Sequence, residues 1–206
     1  YMTEIGIVLY DIKQAKKKLT RWSSKQRVKT NFGNFPAKSY IIPEPLGVTL
    51  IISSWNYPYQ LSLAPIVAAI AAGNTIILKP SEISSQTSSV MASILNEGFD
   101  PNFLKVIQGG VQETTELLKQ KFDKIFFTGS TTVGKIIYKA AAEHLTPVTL
   151  ELGGKSPVII TKDANIKMAA KRIVWGKFLN AGQTCIAPDY LYVDAQISES
   201  LLKALT

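Results

Sequence analysis

The sequence reads as an α/β protein: a parallel sheet with helices on both faces, followed by the start of a second α/β domain. Three observations carry that reading. From residue 46 onward, short apolar runs alternate with helical segments. The runs are nearly continuous in apolar residues, as strands buried on both faces are. Glycines and unusual polar residues collect just after those runs, where ligands bind in parallel sheets.

Each element follows in order. Ile5, Val8, Ile12, Ala15, Leu19 and Trp22 recur at helical spacing and predict an amphipathic amino-terminal helix. Leu46–Ile52 predicts a strand, and Leu61–Ala72 a helix stopped by Gly73. Asn74–Leu78 predicts a strand, Ser84–Asn96 a helix, and Phe103–Ile107 a strand. Gly109 and Gly110 turn the chain into a helix through Lys119. Strand Lys124–Phe127, helix Val133–Glu143 and strand Pro147–Leu150 come next. Strand Pro157–Ile160, helix Ile166–Leu179, strand Tyr190–Val193 and a helix from Ser198 close the chain. The domain boundary is expected between residues 154 and 155.

Composition narrows the function. The 206 residues are 46% hydrophobic and 18% charged, too apolar for a disordered chain. A chain this long buries about 70% of its unfolded surface, enough for a real core. One cysteine and one histidine exclude a disulfide framework and a structural zinc site of Cys and His ligands, and no metal is expected. Cysteine poverty fits a reducing compartment. Residues 1–30 hold eight lysines and arginines against Glu4 and Asp11, so most of the net charge of +8 is local. Such a helix could meet nucleic acid or an anionic membrane. No nucleic-acid reading motif accompanies it, so its stripe is expected to pack, its lysines to face water, and no nucleic-acid partner to bind. No signal peptide is visible. Pro45–Leu78 carries no charge at all, yet Pro58, Gln60, Pro65, Gly73 and Asn74 interrupt it as no membrane span tolerates.

Five strand-end segments carry the candidate chemistry. Gly129-Ser130-Thr131-Thr132-Val133-Gly134 lies between a strand and a helix. Glycines admit a ligand to the backbone, and free helix-start amides favour phosphate. Alone, the segment equally reads as an ordinary strand–helix turn. Lys79 and Glu82 follow a strand end, where a carboxylate can accept from ribose hydroxyls and repel a 2′-phosphate, favouring NAD over NADP. The plain alternative is a helix start with Ser81 as cap. Cys185 follows Gly182-Gln183-Thr184 on a loop or at a new helix start, where backbone amides stabilise a thiolate. A small buried apolar residue is the other reading. Glu151 stands between Leu150 and Leu152, where desolvation would raise its pKa toward that of a general base. A solvated strand-end glutamate is the alternative. Asn56 can donate its side-chain amide to an oxyanion or hold the turn before Pro58. His144 reads as structural.

Taken together, these segments resemble the aldehyde dehydrogenase superfamily. The matching pieces are Ser54-Trp55-Asn56-Tyr57-Pro58, Leu78-Lys79-Pro80-Ser81-Glu82, Phe127 through Gly134, Leu150-Glu151-Leu152-Gly153-Gly154-Lys155-Ser156-Pro157, and Gly182-Gln183-Thr184-Cys185, in the family's order. Glu44-Pro45-Leu46-Gly47, Leu145-Thr146-Pro147-Val148-Thr149 and Ala187-Pro188-Asp189-Tyr190 look like the class 3 and fatty-aldehyde group. The resemblance implies a Rossmann-like cofactor domain and oxidation of aliphatic or aromatic aldehydes to carboxylic acids. It implies Cys185 as nucleophile, Asn56 and the Cys185 amide as oxyanion donors, and Glu151 as the base that hydrolyses a thioester. It implies that Gly129 to Gly134 hold the pyrophosphate, with Ser130 donating, and that Lys79 and Glu82 bind the adenine ribose. Trp55 and Gly109 would line the same cleft. NAD is the expected cofactor, with NADP possible. A homodimer is implied for the longer parent, and a cytoplasmic location, any membrane anchor lying in a tail outside this chain. Family members are more than twice as long, so the chain alone is expected to show little turnover. The alternative is a nucleotide-binding or assembly module with no chemistry. A thiol acyl-transfer enzyme using Cys185 and Glu151 without a nicotinamide is a third reading.

Overall fold

The computed structural model describes all residues from Tyr1 to Thr206. Helix α1 (Ile5–Ser23) leads into a short hairpin of β1 (Gln26–Val28) and β2 (Ser39–Ile41). Then come β3 (Val48–Ile52), α2 (Pro58–Ala71), β4 (Thr75–Lys79), α3 (Ser85–Gly98) and β5 (Leu104–Val106). They are followed by α4 (Val111–Leu118), β6 (Lys124–Gly129), α5 (Thr131–Ala142) and β7 (Val148–Leu152). The remainder is β8 (Ser156–Ile160), α6 (Ile166–Phe178), β9 (Pro188–Val193) and α7 (Ser198–Leu205). Contacts divide the chain into two units, Tyr1–Glu151 and Leu152–Thr206. The sequence places the boundary slightly later, after Gly154.

The sheet order is β5-β4-β3-β6-β7; β3 runs parallel to both β4 and β6, and β4 parallel to β5. Apolar side chains drive this arrangement. Ile51, Ile76, Leu78, Leu104 and Val106 cluster with Ile66 of α2 and Ala92 of α3. Side chains alternate along a strand, so Leu50 and Ile52 point to the opposite face, and both are buried too. The order reverses between β3 and β6, which makes their carboxyl ends the switch point where α/β sheets bind ligands. Register places the ends of β3, β4, β5 and β6 along one edge.

Helix α2 ends where Gly73 turns left-handed at φ +81°. Buried Asn74 then accepts from the amides of Leu46 (2.8 Å) and Gly47 (3.0 Å), fixing the entry to β3. The second unit pairs β8 with β9 in parallel and buries Ile160, Ala170 and Leu201 beneath α6 and α7.

Two expectations need correction. The stripe on α1 is only partly covered: Val8 is buried, whereas Ile5, Leu19 and Trp22 stay exposed. Leu19 lines an open apolar groove of about 400 Å³ among α1, α2 and α3, which leaves that part of the stripe uncovered. Glu151 is exposed rather than desolvated. Leucines flank it in sequence, but β7 is the edge strand, whose other residues are themselves only half-buried.

Candidate cofactor and nucleophile sites

Strand β6 delivers Gly129 and Ser130 to the switch point. A Cβ at residue 129 would run into the Phe127 ring, so only glycine fits this close passage. Ser130 caps α5, its Oγ accepting from the Val133 amide at 3.3 Å. That hydroxyl keeps its own proton for a second partner. Thr131, Thr132 and Val133 are exposed on the first turn, and Gly134 is buried beneath it. The turn therefore offers backbone and hydroxyl donors to an anion at the positive end of α5.

Strand β4 ends in Lys79, only 3% exposed. A buried ammonium needs a partner, and its Nζ bonds Glu82 Oε2 at 2.7 Å. Glu82 itself is 49% exposed at its side chain. Ser81 caps the short turn Glu82–Ser84 by accepting from the Ile83 amide (3.3 Å), so cap and ion pair coexist. The Lys79 hydrogen bond holds the Glu82 carboxyl below the ordinary carboxylate range, against desolvation. The folded state thus binds that proton less tightly than the unfolded chain. The stabilisation is complete above the ordinary glutamate range and is lost as pH falls through the depressed folded value. The advantage of the native chain over a Glu82→Gln variant is accordingly expected to be present at neutral pH and to vanish in acid. Urea titrations across the acid range measure it, and a pH-independent difference would refute the pairing. The effect is small because Glu82 is half in water.

After β5, Gly109 adopts φ +145°, and a Cβ there would collide with Glu113. Glu113 Oε2 accepts from the Gly110 amide at 2.7 Å, and backbone hydrogen bonds hold its carboxyl below the usual range. After β3, Trp55 is 41% exposed and Asn56 half-buried in the loop before α2. His144 touches the Lys119 carbonyl at 3.2 Å, tying the end of α5 to that of α4.

In the second unit, Cys185 is exposed. No helix starts there. It lies on a turn closed by the Ala187 amide donating to the Thr184 carbonyl (3.0 Å), so the loop alternative holds. The approach is strained: Asn180 (φ 53°) and Ala181 (φ 55°) are left-handed before Gly182. The backbone of Gly154 passes close to this turn, and a Cβ there would stand 3.2 Å from the Cys185 carbonyl oxygen, a crowding that glycine relieves. Lys155 and Asp189 flank the turn with an ion pair at 2.9 Å.

A family model described as the aldehyde dehydrogenase family matches residues 5–206. The chain belongs to that family. It is 53% identical, over its whole length, to 4,4'-diaponeurosporen-aldehyde dehydrogenase of Staphylococcus aureus (strain NCTC 8325 / PS 47), covering 45% of that protein. It is 48% identical to a Rattus norvegicus protein named "Aldehyde dehydrogenase, dimeric NADP-preferring", again covering 45% of it. Among solved structures, "Substrate bound state of Staphylococcus Aureus AldH" aligns with a TM-score of 0.97 at 53% identity, over 100% of this chain and 45% of that one. The chain thus spans less than half the length of these aldehyde dehydrogenases. The family uses NAD or NADP. The residues present fit a dinucleotide: a donor–acceptor pair at Lys79 and Glu82 for a ribose diol, and a glycine passage with helix-start amides for a pyrophosphate. No helix is long and apolar enough to cross a membrane.

Sequence reasoning alone misses Glu4, Ser53, Ser62 and Glu113. Glu4, Ser53 and Ser62 act through contacts that no motif announces, whereas Glu113 stands three residues after Gly110 at the capping-box spacing, a signal the sequence did carry.

Proposed function

We propose that this chain is the cofactor-binding and nucleophile-bearing part of an enzyme that oxidises aliphatic or aromatic aldehydes to carboxylic acids with NAD or NADP. The observation that carries it is the exposure of the chain's single cysteine on a tight turn, in a member of this family. Cys185, as thiolate, adds to the aldehyde carbonyl carbon and forms a thiohemiacetal. The Asn56 side-chain amide and the Cys185 backbone N–H donate to the developing oxyanion. The nicotinamide, when bound, supplies a hydride acceptor. Loss of hydride from the former carbonyl carbon leaves a thioester on Cys185. Glu151 takes a proton from the water that hydrolyses it, releasing the carboxylic acid and the thiol. Its exposure leaves it free to meet that water.

Lys79 and Glu82 hold the adenine ribose, and Gly129 to Gly134 hold the pyrophosphate, with Ser130 donating to it. Trp55 and Gly109 line the cleft. The Glu82 charge disfavours a 2′-phosphate, so NAD is the preferred cofactor. A relative named NADP-preferring supports acceptance of both, and its name as dimeric supports a homodimer in the complete enzyme. A cytoplasmic location fits the single free cysteine.

Alkylation of the one thiol by iodoacetamide, followed against pH with and without NAD, tests this reading. Modification in the native state, at a rate altered by NAD, is expected. A thiol silent until denaturation, or indifferent to NAD, would overturn it.

A further inference from the structure

The loop from Ser54 to Tyr57 carries both Trp55 and Asn56, and it is held at each end by residues outside it. At its start, the Ser53 amide donates to the Lys79 carbonyl (3.1 Å). The Ser53 hydroxyl meets the Ser62 hydroxyl at 2.7 Å, both buried. At its end, α2 begins without the usual help. Its cap residue, Tyr57, makes no side-chain capping bond, Pro58 has no amide hydrogen, and no acid lies in the first turn. The first free amides are those of Tyr59 and Gln60. Both donate to one carboxylate oxygen of Glu4, at 2.8 and 3.3 Å, from the residue that precedes α1.

We infer that Glu4 is a positioning residue for the Trp55–Asn56 loop: its carboxylate caps α2 and fixes the backbone that aims Asn56. Capping by a charged acceptor is stronger than by a neutral one. The same charge offsets the positive end of α2. The contact also makes the loop depend on α1. That helix packs along α2 with Val8 buried, and any undocking withdraws the cap. The oxyanion role of Asn56 rests on the function proposed above; the holding of the loop does not.

The test uses the whole chain with Trp22→Phe and Trp175→Phe, which leaves Trp55 as the sole tryptophan. Amide hydrogen exchange is read residue by residue, and Trp55 is quenched with acrylamide. Glu4→Ala is expected to speed exchange at Tyr59 and Gln60 by about tenfold or more, with Leu50 and Leu78 unchanged. Quenching of Trp55 rises in step. Glu4→Gln keeps one acceptor oxygen and is expected to recover most of the protection, within about threefold of the native chain. It also serves as the second test where Glu4→Ala fails to fold: exchange at the two amides must still exceed that of the native chain. Unchanged exchange at those amides in either variant, or equal loss of protection throughout the core, overturns the inference. Asn56→Ala, scored by whether an aldehyde still slows alkylation of Cys185, tests the oxyanion role separately. Local loosening in the Glu4 variants supports the clamp whatever that variant does.

Discussion

Cys185→Ser is expected to lower aldehyde-dependent NADH formation by at least about 10³-fold. A hydroxyl is barely ionised at neutral pH and is a far weaker nucleophile than a thiolate, so addition to the carbonyl slows before any later step matters. The assay co-produces this chain with the segments of the Staphylococcus aureus relative that lie outside the match. Folding does not confuse the result. Cys185 is exposed, and surface substitutions away from packed features cost within about 0.5 kcal/mol. The midpoint of thermal unfolding should therefore move by no more than roughly 2 °C. A variant that kept a rate within tenfold of the native one would remove Cys185 from the mechanism.

The largest stability effect is expected from Leu78→Ala. Leu78 is fully buried and packs in the cluster that joins β3, β4 and β5 to α2 and α3. Truncation forfeits its burial and leaves a cavity, together about 2–5 kcal/mol. That is a large share of the roughly 5–15 kcal/mol that holds an ordinary protein folded. The next residue is Lys79, so relaxation of β4 into the cavity also displaces the ammonium that Glu82 partners. Ile94→Ala supplies the control, because Ile94 is 64% exposed on α3. Urea unfolding should show a clear drop in midpoint for the first and almost none for the second. Equal midpoints would mean that β4 is not part of one cooperative core.

The central sheet was legible because its strands are short apolar runs and its joints are glycines. Leu46–Ile52 and Lys124–Phe127 announced β3 and β6 in this way, although β6 runs on to Gly129. The hairpin of β1 and β2 was not legible: each strand has three residues, mostly exposed, without an apolar pattern. The first turn of α2 escaped because Pro58, Tyr59 and Gln60 precede the periodic residues, and their cap comes from Glu4, 55 positions earlier for Tyr59. Among site residues, Lys79 and Glu82 stood out by type and place, but their mutual bond did not. Glu151 shows the limit of local reading. Flanking leucines suggested burial, and the strand's position at the edge of the sheet decided otherwise. The turn that presents Cys185 was foreshadowed by Gly182, whereas the left-handed pair before it, Asn180 and Ala181, had no counterpart in composition.

The central place of β3 sets a timetable for biosynthesis. One neighbour, β4, follows it closely along the chain, but the other, β6, is distant: the Val48 amide bonds Asp123 across 75 positions. At about 5–20 residues per second, a ribosome needs roughly 4–15 s to make that intervening stretch. Throughout that interval one border of β3 has no strand beside it, and apolar side chains such as Leu50 and Ile52 await cover. Unpaired borders of this kind invite association between nascent chains. Slower elongation between residues 48 and 124 should therefore reduce soluble yield without altering the finished protein, and an early-acting chaperone should offset the loss.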